Sequence, residues 1–215
     1  MKKTCYVFCH GLGLDRSFWR FLKPYFEKEE TFYCDLGYFG EPSFPSEIHP
    51  EKFDYVGVGH SLGLIKLLAL PIPWRSLIGL HGFINFLGYD SSLRVRRTRE
   101  WKGLCAQFKR SPILTLQNFY QRVGVEMYPA WEAMNSERLF GDLESLAIPT
   151  NSTKSIILLA SRKDVIVPPD LLEDNLRVNP NVCMHYVDDA QHNLGYVLPE
   201  IVTKWCCNLS LLRIS

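Results

Sequence analysis

The run Gly59-His60-Ser61-Leu62-Gly63 holds a serine between two glycines, with one residue on either side. An extended apolar stretch, Phe53-Asp54-Tyr55-Val56-Gly57-Val58, precedes it, and the helix-forming Leu64-Ile65-Lys66-Leu67-Leu68-Ala69-Leu70 follows. G-x-S-x-G between a strand and a helix makes a sharp turn that strains the serine backbone and exposes its hydroxyl. The pentapeptide alone recurs by chance; the two flanks are what make Ser61 a nucleophile candidate rather than part of an ordinary glycine-rich loop.

A serine hydroxyl at neutral pH needs a base, and the base needs an orienting acid. On this scaffold the three follow in the order Ser, Asp/Glu, His. Asp164 turns off the carboxyl end of the buried-looking strand 155–160, and its rivals Asp170 and Asp174 fall on the next helix. His192 lies in the loop after the strand 182–187, whereas His185 sits within that strand and reads as a packed or surface histidine. Acyl transfer also needs two donors for the developing oxyanion. The amide of Leu62, directly after the serine, is one. The amide of Leu12, in His10-Gly11-Leu12-Gly13, is the other, because glycines let that backbone approach a substrate closely. His60 either lines the pocket or serves the structure, and His81 ends a strand at the same edge, where it is placed to contact substrate. Neither phosphate-binding glycine pattern is present, and the Cys/His spacing holds no zinc motif. The expectation is a site without cofactor or metal.

The elements that must position these residues are strands at 4–9, 31–35, 53–59, 75–81, 155–160 and 182–187. Helices are expected at 16–28, 61–70, 169–177 and 196–211, with Asp15 capping the first and Pro168-Pro169 opening the third. Strands alternating with helices imply a mostly parallel sheet covered on both faces. Roughly seventy residues without strand character separate the fourth and fifth strands, too long for a structureless loop. With helical stretches at 92–109 and 112–123, they read as a helical cap, residues 83–150, over the carboxyl ends of the strands of a core formed by 1–82 and 151–215. Open α/β sheets bind ligands at that edge.

The 215 residues are 47% apolar and suffice for one domain with a sizeable core. The seven cysteines are an odd number, which favours reduced thiols in a cytosolic protein. The N-terminal apolar run is too short for a signal peptide, and no stretch is long enough to span a membrane. Residues 91–110 carry Arg94, Arg96, Arg97, Arg99, Lys102, Lys109 and Arg110 against Glu100 alone, although the whole chain is only +1. A charge so concentrated fits an acidic or phosphate-bearing partner as well as a solvated helix face. At helical spacing Arg96, Arg99 and Lys102 share one face, and Trp101, Leu104, Cys105 and Phe108 share another. The pI near 7.6 argues against a nucleic-acid binder.

The segments His10-Gly11-Leu12-Gly13, Asp35-Leu36-Gly37-Tyr38-Phe39-Gly40, Gly59-His60-Ser61-Leu62-Gly63, Asp164-Val165-Ile166-Val167-Pro168 and Ala190-Gln191-His192 together resemble the α/β-hydrolase family, and within it the esterases. The resemblance implies the α/β-hydrolase fold with a catalytic Ser61, Asp164 and His192. Leu64 departs from the pattern, standing where relatives commonly carry a second glycine. The small body with a basic cap is similar to the pimeloyl-acyl-carrier-protein methyl ester esterases of biotin synthesis. That narrower resemblance implies an acyl carrier protein as partner, Phe119 as an aromatic wall of the acyl channel, and Arg94, Arg96, Arg97 and Arg99 as docking residues. A general short-chain carboxylesterase or thioesterase would use the same chemistry. A non-catalytic binding module on the same fold is the reading from a different class, because fold does not fix function.

Overall fold

Six apolar runs become six parallel strands: β1 (Lys3–Cys9), β2 (Glu30–Cys34), β3 (Phe53–His60), β4 (Trp74–Leu80), β5 (Ile156–Ala160) and β6 (Val182–Tyr186). The computed structural model describes residues 2–188 and 190–207. Strand order is β2-β1-β3-β4-β5-β6. Every residue of β5 is buried, as an interior strand covered on both faces requires, whereas the edge strands β2 and β6 are mostly half-exposed. The order reverses between β1 and β3, and the crevice beyond the carboxyl ends at such a reversal is where this architecture takes its ligands. Gly11 and Ser61 lie there, just past the ends of β1 and β3.

The covering helices are α1 (Leu62–Leu68), α2 (Ser91–Arg110), α3 (Pro112–Val123), α4 (Ser136–Ser145), α5 (Pro169–Val178), α6 (Leu194–Val197) and α7 (Pro199–Cys207). Two expected helices differ. The segment 16–28 is a pair of 3-10 turns, Arg16–Trp19 and Lys23–Phe26. Asp15 does cap the first, accepting the Ser17 amide at 2.7 Å. A continuous α-helix there would drive the Pro24 ring into the Arg20 carbonyl and leave that carbonyl without a donor. The apolar periodicity still works, since Phe18, Trp19, Leu22 and Phe26 are all buried. The expected helix 196–211 begins as the short α6 and restarts at Pro199, after Leu198 leaves helical geometry; residues 208–211 lie outside the described residues.

Between β4 and β5, the Asp90 carboxylate opens α2 by accepting the amides of Ser92 and Leu93, each at 3.0 Å. Gly124, with φ 66°, closes α3. A third helix here, α4, is capped by Asn135 and was not expected individually. The Trp101 indole donates to the Leu143 carbonyl at 2.9 Å, joining α2 to α4. The Tyr120 hydroxyl bonds the Gly13 carbonyl, and the Asn193 amide bonds the Gly124 carbonyl at 2.9 Å. These bonds hold α3 over the loops that follow β1 and β6.

Candidate active site

Ser61 has φ 53° and ψ −122°, a region side-chain-bearing residues rarely enter. Conformations of this kind cost about 1–3 kcal/mol and persist only where their surroundings over-determine them. Here the Ser61 amide bonds the Leu80 carbonyl at 3.0 Å, and the Ser61 carbonyl accepts the Leu64 amide at 3.2 Å. The two flanking glycines are steric requirements. A Cβ on Gly59 would lie 2.4 Å from the Leu64 nitrogen, and one on Gly63 would lie 2.1 Å from the Cys9 carbonyl oxygen. Leu64 is fully buried, and its Cδ2 would meet a Cβ on Gly79 at 2.8 Å or on Gly82 at 2.6 Å. The bulk added at position 64 is thus seated in a hollow left by two glycines at the end of β4.

Asp164 and His192 are brought together, the carboxylate Oδ2 standing 2.7 Å from His192 Nδ1. Oδ1 accepts the amides of Ile166 and Val167 at 2.8 and 3.0 Å. Burial works to raise the Asp164 carboxyl, but the charge and hydrogen bond of His192 outweigh it and hold the group at about 2. Asp164 is therefore an anion at neutral pH, and it fixes the His192 proton on Nδ1. His192 Nε2 is buried and has no hydrogen-bond partner among the described residues. The rivals are engaged elsewhere: Asp170 pairs with Arg96, and Asp174 accepts the amides of Tyr89 and Asp90.

His60 and His81 are both buried, and neither lines the cavity that reaches Ser61. His60 Nε2 donates to the His192 carbonyl at 2.9 Å, tying the residue next to Ser61 to the loop that carries His192, and its ring stacks on Phe18 at 4.4 Å. His81 has its Nε2 3.8 Å from Asp164 Oδ2. One nitrogen from each of His60, His81 and His192 lies within 4.8 Å of the others. Zinc would draw such nitrogens to about 3.4 Å apart, following from Zn–N bonds near 2.05 Å. It would also have to compete with the bond His60 already makes.

Leu12 and Leu62 line the same cavity as Ser61. Sequence reading missed what orients the first of these. The Leu36 amide donates to His10 Nε2 at 3.1 Å, so the His10 proton is on Nδ1, which donates to the Gly11 carbonyl at 3.0 Å. Across a trans peptide, fixing the Gly11 carbonyl aims the Leu12 N–H the opposite way.

The cavity holds about 140 Å³ and is walled mainly by apolar side chains, including Phe83, Phe86, Phe108, Leu116, Phe119 and Leu143. Phe119 also lies beside His192, the two rings edge to face with centroids 6.4 Å apart. The four arginines part company. Arg94 and Arg99 are exposed, and Arg96 is exposed but paired with Asp170. Arg97 is buried, donating to the carbonyls of Phe86 and Ile166 at 3.3 and 3.0 Å and to Glu100 at 3.1 Å. It braces α2 against the loops after β4 and β5, so its place among residues facing a partner is withdrawn.

No family model matches the chain, and no curated protein matches it in sequence. Solved structures do match in shape. An esterase from Exiguobacterium antarcticum gives a TM-score of 0.74 at 13% identity, over 97% of this chain and 92% of that one. An epoxide hydrolase from Bacillus megaterium gives 0.72 at 16% identity, over 98% and 94%. A lipase-esterase related protein from Clostridium acetobutylicum gives 0.71 at 16% identity, over 96% and 94%. At these identities the likeness establishes the α/β-hydrolase fold.

Proposed function

We propose that the protein is a serine hydrolase of carboxylic esters, with a core of residues 1–82 and 151–215 and a helical cap of residues 83–150. The observation that carries the reading is one constellation: a serine in a strained turn, an unpartnered imidazole nitrogen, and a buried carboxylate on the far side of that imidazole. His192 Nε2 takes the Ser61 proton as Oγ attacks the ester carbonyl. The amides of Leu12 and Leu62 donate to the oxyanion that forms. Asp164 holds the imidazole in its tautomer and stabilises its cation. His192 then returns the proton to the departing alkoxide, leaving an acyl-serine and a free alcohol. Water, deprotonated by His192, attacks the acyl-serine and releases the acid. The apolar cavity takes the acyl chain, with Phe119 over the reacting carbon.

The finer reading is a carrier-bound substrate, the methyl ester of a pimeloyl chain on an acyl carrier protein. Its support is the apolar cavity together with the exposed Arg94, Arg99 and Lys102 on α2. Charge reversal at these three should impair the carrier-bound ester at low salt and spare a small chromogenic ester. Equal rates on both would leave a general short-chain carboxylesterase or thioesterase. The root of the proposal is tested by Ser61→Ala, which should abolish both ester turnover and labelling by a fluorophosphonate. An unreactive Ser61 in the wild type would point instead to a non-catalytic binding module.

A further inference from the structure

His81 is a fully buried imidazole beside the Asp164–His192 pair, and the mechanism above gives it nothing to do. It follows directly on β4, where its amide bonds the Leu159 carbonyl at 2.8 Å. Its φ of 50° is left-handed, uncommon for any residue but glycine. Neither ring nitrogen has a hydrogen-bond partner among the described residues. A buried polar group left in that condition calls for an explanation. Nε2 lies 3.8 Å from Asp164 Oδ2, the same oxygen that meets His192 Nδ1 at 2.7 Å. Asp164 Oδ1 already accepts two amides, while Oδ2 accepts His192 and has room for a second donor.

We infer that His81 is a positioning residue for this site, its Nε2–H closing on Asp164 Oδ2 opposite His192 and thereby setting how tightly His192 holds its proton. The inference rests on the serine-hydrolase reading. Closure from 3.8 Å to hydrogen-bond range takes about 0.9 Å of ring movement. The groups facing His81 are Asp164 from the turn after β5, His192 from the loop after β6 and His60 from the end of β3. His60 has committed its Nε2 to the His192 carbonyl, and its Nδ1 would lie 2.8 Å from a Cβ on Gly11, so it does not serve Asp164. Burial pushes His81 down to about 3. At neutral pH it therefore offers a neutral N–H and adds no second positive charge against the His192 imidazolium.

A donor on Oδ2 disperses the charge that holds the His192 proton. Removing it raises the proton affinity of His192 and moves the acid limb of kcat/KM to higher pH. Two substitutions separate the ring from the fold. In His81→Gln the amide nitrogen reaches the position of Nε2. In His81→Asn it reaches only that of Nδ1, and Asn tolerates left-handed backbone. His81→Asn should shift the acid limb upward by about half to one pH unit and lower kcat roughly three- to tenfold, as the loss of one modest hydrogen bond implies. His81→Gln should keep the limb within about 0.3 unit of wild type. An unmoved limb in His81→Asn with only a lower Tm overturns the inference. So does a limb displaced in His81→Gln by half a unit or more, which decides the matter alone if the Asn variant does not fold. Wild-type activity in Ser61→Ala overturns the hydrolase reading itself, and this inference with it.

Discussion

Asp164→Asn changes two atoms' worth of chemistry and almost no volume. The amide oxygen of the new residue is drawn to the Ile166 and Val167 amides, which approach Oδ1 at 2.8 and 3.0 Å. That places the amide NH2 against His192 Nδ1, where Oδ2 stood at 2.7 Å. A donor there forces Nδ1 to accept, so the His192 proton moves to Nε2 and the lone pair that should receive the Ser61 proton disappears. The negative charge that would balance the imidazolium disappears with it. In the serine-protease triad the corresponding exchange lowers kcat about 10⁴-fold by the same tautomer reversal. The three bonds to Asp164 are of the same kind here, so a loss of about 10³–10⁴ is expected, or roughly 4–5.5 kcal/mol of transition-state stabilisation. Steady-state hydrolysis of a short chromogenic ester at pH 8 measures it, with the fluorophosphonate labelling rate as a second readout. Asp170→Asn, whose carboxylate pairs with Arg96 on the surface, is the control and should stay within twofold. A loss below tenfold in a folded Asp164→Asn protein would refute the tautomer argument, and with it the role assigned to Asp164.

Other outcomes follow from the packing and from the buried charges. Gly82→Ala puts a Cβ 2.6 Å from Leu64 Cδ2 and should cost about 1–3 kcal/mol, and Leu64→Ala alone about 2–5. The double variant should cost less than the two together by about 1 kcal/mol in urea unfolding; strict additivity would deny the hollow. Arg97→Ala strands two main-chain carbonyls, the buried one of Phe86 and the part-buried one of Ile166, and should cost about 1.5–3 kcal/mol, whereas Arg94→Ala, on the exposed face, should stay within about 0.5. Stability should fall in acid in two stages. His81, depressed from 6.5 to about 3, and His60, held well below 6.5 by burial, stay neutral while the unfolded chain takes up protons, so stability is lost below pH 6.5, up to about 5 kcal/mol of it through His81 by pH 3. Asp164, depressed from 3.8 to about 2, contributes roughly 2.5 kcal/mol that is present above pH 4 and lost on the way down to 2. His81→Gln should flatten the first stage of a pH-dependent denaturation series; an unchanged slope between pH 6 and 4 would contradict the buried neutral ring.

What could be read from the chain divides along physical lines. Strands such as β5, Ile-Ile-Leu-Leu-Ala, announce themselves because an interior strand must be apolar on both faces. The G-x-S-x-G turn is legible because close backbone approach leaves no alternative to glycine at 59 and 63. Helix type at 16–28 was misjudged because periodicity reports which side chains are buried and is nearly blind to whether the turn closes after three residues or four; Pro24 held the missing information. Pro199 held it for the final helix. The Asn135 cap ahead of Leu139 and Leu143 was a usable sign of α4. Charge counting misplaced Arg97, since composition cannot reveal that two main-chain carbonyls wait inside the fold for a guanidinium. The support given by His10 and the nearness of His81 to Asp164 were hidden for a similar reason: both depend on contacts between residues far apart in the chain.

The hydrogen bond from His60 to the His192 carbonyl spans 132 positions of the chain. A ribosome adding about 5–20 residues per second needs roughly 7–25 s to cover that distance. On the proposed mechanism, the emerging polypeptide carries its serine turn through that interval without the imidazole that would serve as its base, and so it would be born inert. If the proposed chemistry holds, competence would arrive in a single late step, when the sixth strand docks and the last loop falls into place, leaving truncated translation products without activity.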